Sequence, residues 1–305
     1  MVTSLLKKTC DFIGNKLTIS TYRLSETDFS RESPLSFPIV VSSILHLFKE
    51  SVEFNISQIL PSLGKRIVTG AAFSKAREKI KIEFFKDLNS LQLGTIKSLK
   101  VKLWKGYQLL AFDGTTLIVP ASKQNKDFFG IHSKSDTGRI NCMVRCLFCV
   151  DVLSDYIYGH VLANISVGEG TLFKQMLPQI TTIHKSIFLL DRNFGNFSAV
   201  SLFTDLNQLC CIRMSIEVST FAKRVMADSR SDFETIWNPT AREKQSARAN
   251  SLSTNPLKVR VSKVILDSGE IELLVSNIFD YENITQEYMK ELYFKRWQIE
   301  EVIKK

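Results

Sequence analysis

The chain has 305 residues, 44% of them hydrophobic and 23% charged, which suits a soluble globular protein of one large or two ordinary domains. Lys and Arg number 40 against 31 Asp and Glu, and the pI is near 9.2. A surplus of +9 favours a polyanionic partner, nucleic acid before an anionic membrane surface. The longest apolar run, FPIVVSSILHLF (residues 37–48), is too short and too polar to span a bilayer, and the leading MVTSLLKKTCDF lacks the continuous apolar core of a signal peptide. Six cysteines in a chain of this length do not read as a secreted disulfide framework, so the expected compartment is the cytoplasm, with no membrane.

Residues 1–100 carry apolar residues at three- and four-residue steps in ISQILPSLGKRIV, in AAFSKAREKIKIEFFKDL and after Pro38, punctuated by Pro34, Pro38, Pro61 and Gly70. This predicts a helical region. Lys65, Arg66, Lys75, Arg77, Lys79 and Lys81 crowd its second half, either as a solvated basic face or as a DNA-docking module that meets phosphates.

The pattern then changes. QLLAFDGTTLIVP (108–120) reads as a buried strand, RINCMVRCLFCVDV (139–152) and YIYGHVLANIS (156–166) as an antiparallel hairpin about the turn LSD. EGTLFKQMLPQI suggests a helix, KSIFLLDRNF (185–194) a short buried strand, FSAVSLFTDLNQ a helix and LCCIRMS a strand. Three strands followed by helix, strand, helix, strand suit a mixed sheet with helices on its faces. Residues 223–263 hold nine Lys and Arg against four Asp and Glu, and AREKQSARANSLSTNPLK within them reads as polar and turn-rich. VRVSKVILD and EIELLVSNIF follow as a hairpin about Ser268 and Gly269, and a single helix runs from about Thr285 to the end.

Two aspartates end apolar strand runs: Asp113 follows Leu109–Phe112, and Asp191 follows Ile187–Leu190. An unpaired buried carboxylate costs several kcal/mol, roughly, so such an acid needs an arginine, a helix to cap or a metal. Tyr293, Arg296 and Glu300 fall at i, i+3 and i+7, on one helix face, with Trp297 near the same stripe. By itself the stripe reads as an amphipathic helix with an Arg296–Glu300 pair. Taken together, Asp113, Asp191 and Glu300 are three hard oxygen donors of the kind that a pair of magnesium ions requires for phosphodiester chemistry.

Cys142, Cys146 and Cys149 invite a zinc reading, but no complementary pair accompanies them beyond the adjacent Cys210 and Cys211, and buried free thiols are the expectation. The four histidines have no ligand spacing. Asp151 and Asp155 flank a turn and read as structural, and Lys123, Lys126, Lys134 and Arg139 either line a DNA channel or are solvated.

DGTT at Asp113, DRNFG at Asp191 and Tyr293-x2-Arg296-x3-Glu300 resemble the DDE transposases of bacterial insertion sequences, and more closely the insertion-sequence-four group, with its Y-x2-R-x3-E-x6-K signature. DFSRESPLSF and AAFSKAR resemble that group's leader, so the likeness touches nearly the whole chain. The resemblance implies an α/β, ribonuclease H-like mixed sheet with helices on both faces. It implies a helical DNA-binding region (1–100), the first part of a catalytic core (101–216), a basic, mostly β insertion (217–280) and a final core helix (281–305). It makes Asp113, Asp191 and Glu300 the catalytic and metal-binding triad for two Mg²⁺ ions, with Mn²⁺ as a substitute. Tyr293, Arg296, Trp297 and Arg192 become DNA contacts, Arg296 through phosphate. The implied activity is cleavage at transposon ends and strand transfer, on double-stranded terminal repeats and target DNA, by a dimer, in a nucleoid-associated bacterial protein. The signature's last lysine would fall two positions beyond Lys305, so the resemblance implies a C-terminally truncated chain. A DNA-binding remnant without catalysis, or a ribonuclease H-like nuclease that cuts without joining, are the rival expectations.

Overall fold

The computed structural model describes residues 2–47, 50–97, 102–134, 138, 140–182, 184–266 and 268–304. Two units divide the chain, Met1–Lys100 and Val101–Lys305.

The first unit is helical: α1 Val2–Gly14, α2 Lys16–Tyr22, α3 Phe37–Leu45, α4 Val52–Ser62, α5 Gly70–Arg77 and α6 Glu83–Lys97. Side chains that accept from the first free backbone N–H groups fix where several of these begin: Asn15 for α2, Ser51 for α4 and Thr69 for α5. The core is aromatic. Phe84 stacks on Phe12 at 5.5 Å and meets Tyr22 and Phe37 edge-on, and Val40, Val41, Ile56, Leu60 and Phe73 close the cluster.

The second unit is built on a nine-stranded sheet: β1 Gln108–Val119, β2 Ile131–Lys134, β3 Ile140–Asp151, β4 Tyr156–Asn164, β5 Ser186–Leu190, β6 Leu209–Met214, β7 Asp232–Trp237, β8 Leu257–Ile265 and β9 Ile271–Ser276. β1, β3 and β4 form an antiparallel meander, and β5 and then β6 add parallel to β1. The resulting order β4-β3-β1-β5-β6, with three antiparallel strands and two crossover strands, is a ribonuclease H-like sheet. β2 pairs with the start of β3, and β9, β8 and β7 extend the other edge antiparallel to β6.

Helices cover both faces. α7 Lys123–Phe129 precedes β2; α8 Glu169–Met176, α9 Phe197–Asp205, α10 Thr220–Met226 and α11 Ala241–Ala249 all contribute to one apolar cluster, with Leu110, Phe112 and Phe188 from the sheet. The opposite face, with Leu109, Ala111, Ile187 and Leu189, is covered by α12 Gln286–Phe294 and α13 Gln298–Lys304. Leu109–Phe112 are all fully buried, and Leu109, Leu110 and Phe112 are each worth about 1.5–3 kcal/mol of transfer free energy. That burial explains why this run reads as a strand with both faces covered.

Two expectations are corrected. The stretch from Ala241 to Lys258, read as polar and turn-rich, holds a helix, and the wider 223–263 segment is ordered throughout. It forms α10, β7 and α11, and α11 is started by a reciprocal capping box between Thr240 and Glu243 and seated through buried Ala247. The final helix is not continuous either, because a 3-10 turn at Lys295–Trp297 separates α12 from α13. Arg139 and Lys305 lie outside the described residues. Five cysteines are buried and only Cys10 is exposed, all as free thiols, with burial raising Cys211 to about 12. None of the helices among the described residues is long and apolar enough to cross a membrane.

A buried ion pair ties β7 and β8 to the segment before α12. Arg260, fully buried, donates from Nε to Asp232 Oδ1 at 2.9 Å and from Nη2 to Oδ2 at 2.6 Å. Its Nη1 donates to the Ile284 carbonyl at 2.7 Å, and the guanidinium lies 4.0 Å from the Tyr281 ring centroid. Replacing Asp232 with Ala strands that charge in the core. The expected cost is about 3–5 kcal/mol, read from the urea midpoint of the second unit, with most of it recovered in the double variant Asp232→Leu/Arg260→Met. A loss under about 1 kcal/mol would show that the pair does not anchor the fold.

Candidate functional site

Asp113 and Asp191 are brought together by strand pairing. β1 and β5 run parallel with Leu110 opposite Phe188 and Ala111 opposite Leu189, and Asp113 and Asp191 each follow two residues after that last pair, near enough for the Asp191 charge to act on Asp113. β5 stops at Leu190, and Asp191 caps the 3-10 turn Arg192–Phe194, its Oδ1 accepting the Asn193 N–H at 2.9 Å. One of its oxygens is thus structural, and Oδ2 accepts no hydrogen bond among the described residues. Asp113 Oδ1 accepts the Gly114 N–H at 3.0 Å. Alternation along β1 puts Asp113 on the face of Leu109 and Ala111, which α12 and α13 cover.

α13 lies against β1 and carries Glu300 over that face, with Ile299 fully buried beside it. The Asp113 carboxyl is pushed up to about 6, first by burial, then by the negative charges of Asp191 and Glu300. The Arg296 guanidinium and the Gly114 N–H oppose the shift. Asp113 therefore stands in the fields of Asp191 and Glu300, with Arg296 as the compensating cation. Arg296 Nη2 reaches Glu300 Oε1 at 3.3 Å, and its guanidinium lies 4.8 Å from the Trp297 ring centroid.

The donors fit a divalent cation in kind: hard carboxylate oxygens from two rigid strand ends and one helix. They are not drawn into one ligand shell. Among the described residues, no group of three or more His, Cys, Asp or Glu side chains is disposed to hold a metal ion. Glu300 is turned to Arg296, and Asp191 to its cap.

The residues that the resemblance assigns to DNA divide into two pairs. Tyr293 is 1% exposed and packs among Ile187, Cys211 and Leu274; burial raises its phenol, and its Oη has no partner among the described residues. Arg296 is 4% exposed, with Nε likewise unpartnered. Both side chains are almost fully covered, the tyrosine against the sheet and the arginine beside Glu300. The cause is the geometry of α12, which dips its Tyr293 side onto the sheet. Trp297, by contrast, is 44% exposed and lines a cleft of about 380 Å³ with Phe294, Gln298 and Glu300. Arg192 is exposed and lines a cleft of about 180 Å³ beside Arg213, itself paired with Glu272 at 3.0 Å.

The glycine after Asp113 has a local reason. Gly114 faces the opposite side of the sheet, where a Cβ would stand 2.4 Å from the Glu169 carboxyl carbon. Glu169 is held there by Arg145 Nη1 at 2.9 Å, a pair between β3 and α8 that sequence reasoning missed, since neither residue stands in a motif. Asp151, read as structural, is fully buried and accepts from Gln108 Nε2 at 2.8 Å and from the Leu153 N–H at 3.0 Å.

No protein-family model matches the chain, and no curated protein sequence does. Among solved structures it is similar to a piggyBac transposase synaptic complex with hairpin DNA, at a TM-score of 0.49 and 8% identity over 98% of this chain and 67% of that one.

Asp113 should make the metal-free protein less stable as its charge develops. Its folded value of about 6 lies above the ordinary 3.8, so the folded state binds the proton more tightly. Stability therefore falls as pH rises between those values and is level outside them. Asp113→Asn in EDTA should raise the thermal midpoint at pH 7.5, with the gain shrinking as pH falls through 6 towards 4. An equal gain at every pH would contradict the assignment.

Proposed function

We propose that the chain is a DDE transposase of the insertion-sequence-four group, cleaving double-stranded DNA at transposon ends and joining the freed end to target DNA. The observation that supports this reading most is the placement of Asp191 and Glu300 near the half-buried Asp113 carboxylate, in a ribonuclease H-like sheet. In this reading the three acids hold two Mg²⁺ ions, or Mn²⁺ in their place. Bound there, the ions supply Lewis-acid charge for an in-line displacement at phosphorus.

The chain's own residues do the positioning. Asp113 and Asp191 are fixed by strand pairing and a cap, so they present oxygens at little cost in reorganisation. Glu300 reaches them by exchanging its Arg296 partner, which leaves that guanidinium facing the same acids and holds net charge down. Trp297 and Arg192 are the surface groups for DNA near the acids, and the basic 223–263 segment adds phosphate contacts. Pairing of two DNA ends calls for two protomers, and the cell compartment of that activity is the nucleoid.

The test is a nicking and joining assay on duplexes carrying the DNA that flanks the gene. The expected result is Mg²⁺-dependent nicking that falls roughly 100-fold or more in each of Asp113→Asn, Asp191→Asn and Glu300→Gln. Binding without nicking by the unsubstituted chain would leave a DNA-binding remnant, and nicking without joining a plain nuclease; nicking unaffected by all three substitutions overturns the assignment of the acids.

A further inference from the structure

The two leader motifs, DFSRESPLSF and AAFSKAR, lie some forty residues apart in sequence, and the first unit folds them against each other. Between them is a cleft of about 450 Å³, lined on one side by Asp28, Phe29, Arg31 and Ser33, and on the other by Lys75 and Lys79 of α5 and its exit.

The charges in this cleft are unbalanced. Lys79 Nζ is paired with Asp28 Oδ1 at 3.2 Å, and Asp28 Oδ2 accepts the Ser25 N–H at 3.0 Å, so that carboxylate is committed. Arg31 and Lys75 are exposed and have no hydrogen-bond or ion-pair partner among the described residues. Three cations thus face the cleft with one anion. The turn that delivers Arg31 is strained: Phe29 has φ +58°, in the left-handed region that a bulky residue rarely occupies. Its ring is held there edge-on to Phe37, at 5.4 Å between centroids. Strain kept at an exposed turn is common at ligand clamps, where it fixes a side chain in advance of the ligand.

We propose that this cleft seats a backbone phosphate of duplex DNA, between the Arg31 guanidinium and the Lys75 ammonium. The proposal rests on the DNA-end reading above and names the residues by which the helical unit would grip the duplex. A guanidinium can take two phosphate oxygens side by side, and an ammonium on the opposite wall adds a point charge. Ser33 supplies a hydroxyl on the same rim. The Lys79–Asp28 pair fixes the exit of α5 against the turn, so its role is to position the walls.

The test uses the full chain and a fluorescein-labelled 30-base-pair duplex of the gene's flanking DNA, with anisotropy titrations from 50 to 300 mM KCl. Arg31→Ala/Lys75→Ala should weaken binding roughly five- to tenfold and lower the slope of log K against log salt by about 1. The comparison variant Lys7→Ala/Lys8→Ala removes the same charge at exposed positions outside the cleft and should change the affinity less than twofold. Lys75→Arg in place of Lys75→Ala should restore most of the slope, and matched thermal midpoints show that the variants fold. Equal losses in the two double variants, or an unchanged slope in the first, overturn the cleft and leave the DNA reading standing. No binding by the unsubstituted chain at 50 mM KCl overturns both.

Discussion

The withdrawal of Asp113 from water, next to the charges of Asp191 and Glu300, is the constraint around which the second unit is built. A carboxylate withdrawn from water already prefers its proton, and two further negative charges deepen that preference until Asp113 titrates near 6. Arg296 offsets part of this as a buried guanidinium that faces the acids and stacks on Trp297. A fold that tolerates such a cluster spends stability on it, as sites that bind cations or perform acid–base work commonly do.

The surrounding architecture makes the cluster unavoidable. β1 and β5 are fully buried up to the aspartates, so neither strand can slip in register without exposing its apolar residues on a face that helices already cover. Gly114 lets Glu169 approach the backbone on the far side of β1, and Arg145 holds that acid in place. At the other end, Arg260 fixes the carbonyl of Ile284 just ahead of α12, and so anchors the stretch that leads to Glu300. The basic segment is therefore continuous with the sheet through β9 and β6, and its buried ion pair is joined to the path of the third acid.

Much of this was legible in the sequence because it was written in burial. Leu109–Phe112 and Ile187–Leu190 are apolar runs that can only be covered strands, and the acids that end them stand out against that background. Other features depend on contacts that no local pattern encodes. α11 is polar along nearly its whole length, and its start depends on a capping box and its seat on one buried alanine, so it resembles a loop. The stripe of Tyr293, Arg296 and Glu300 shows that the three share a face, but not that the sheet takes up the tyrosine and most of the arginine. The 3-10 turn between α12 and α13 is equally silent in sequence, since Lys-Arg-Trp is compatible with an ordinary helix. The basic cleft of the first unit joins residues that only the tertiary fold makes neighbours.

The central claim is that Asp113, Asp191 and Glu300 form one cation-binding centre. Crystals of the protein soaked in Mn²⁺ and measured at the manganese absorption edge test it without any assumption about the DNA. The account predicts anomalous density between the Asp113 and Asp191 carboxylates, with Glu300 turned from Arg296 towards it, and its loss in Asp113→Asn. Density only elsewhere on the surface, or density between the acids that survives Asp113→Asn unchanged, would contradict it.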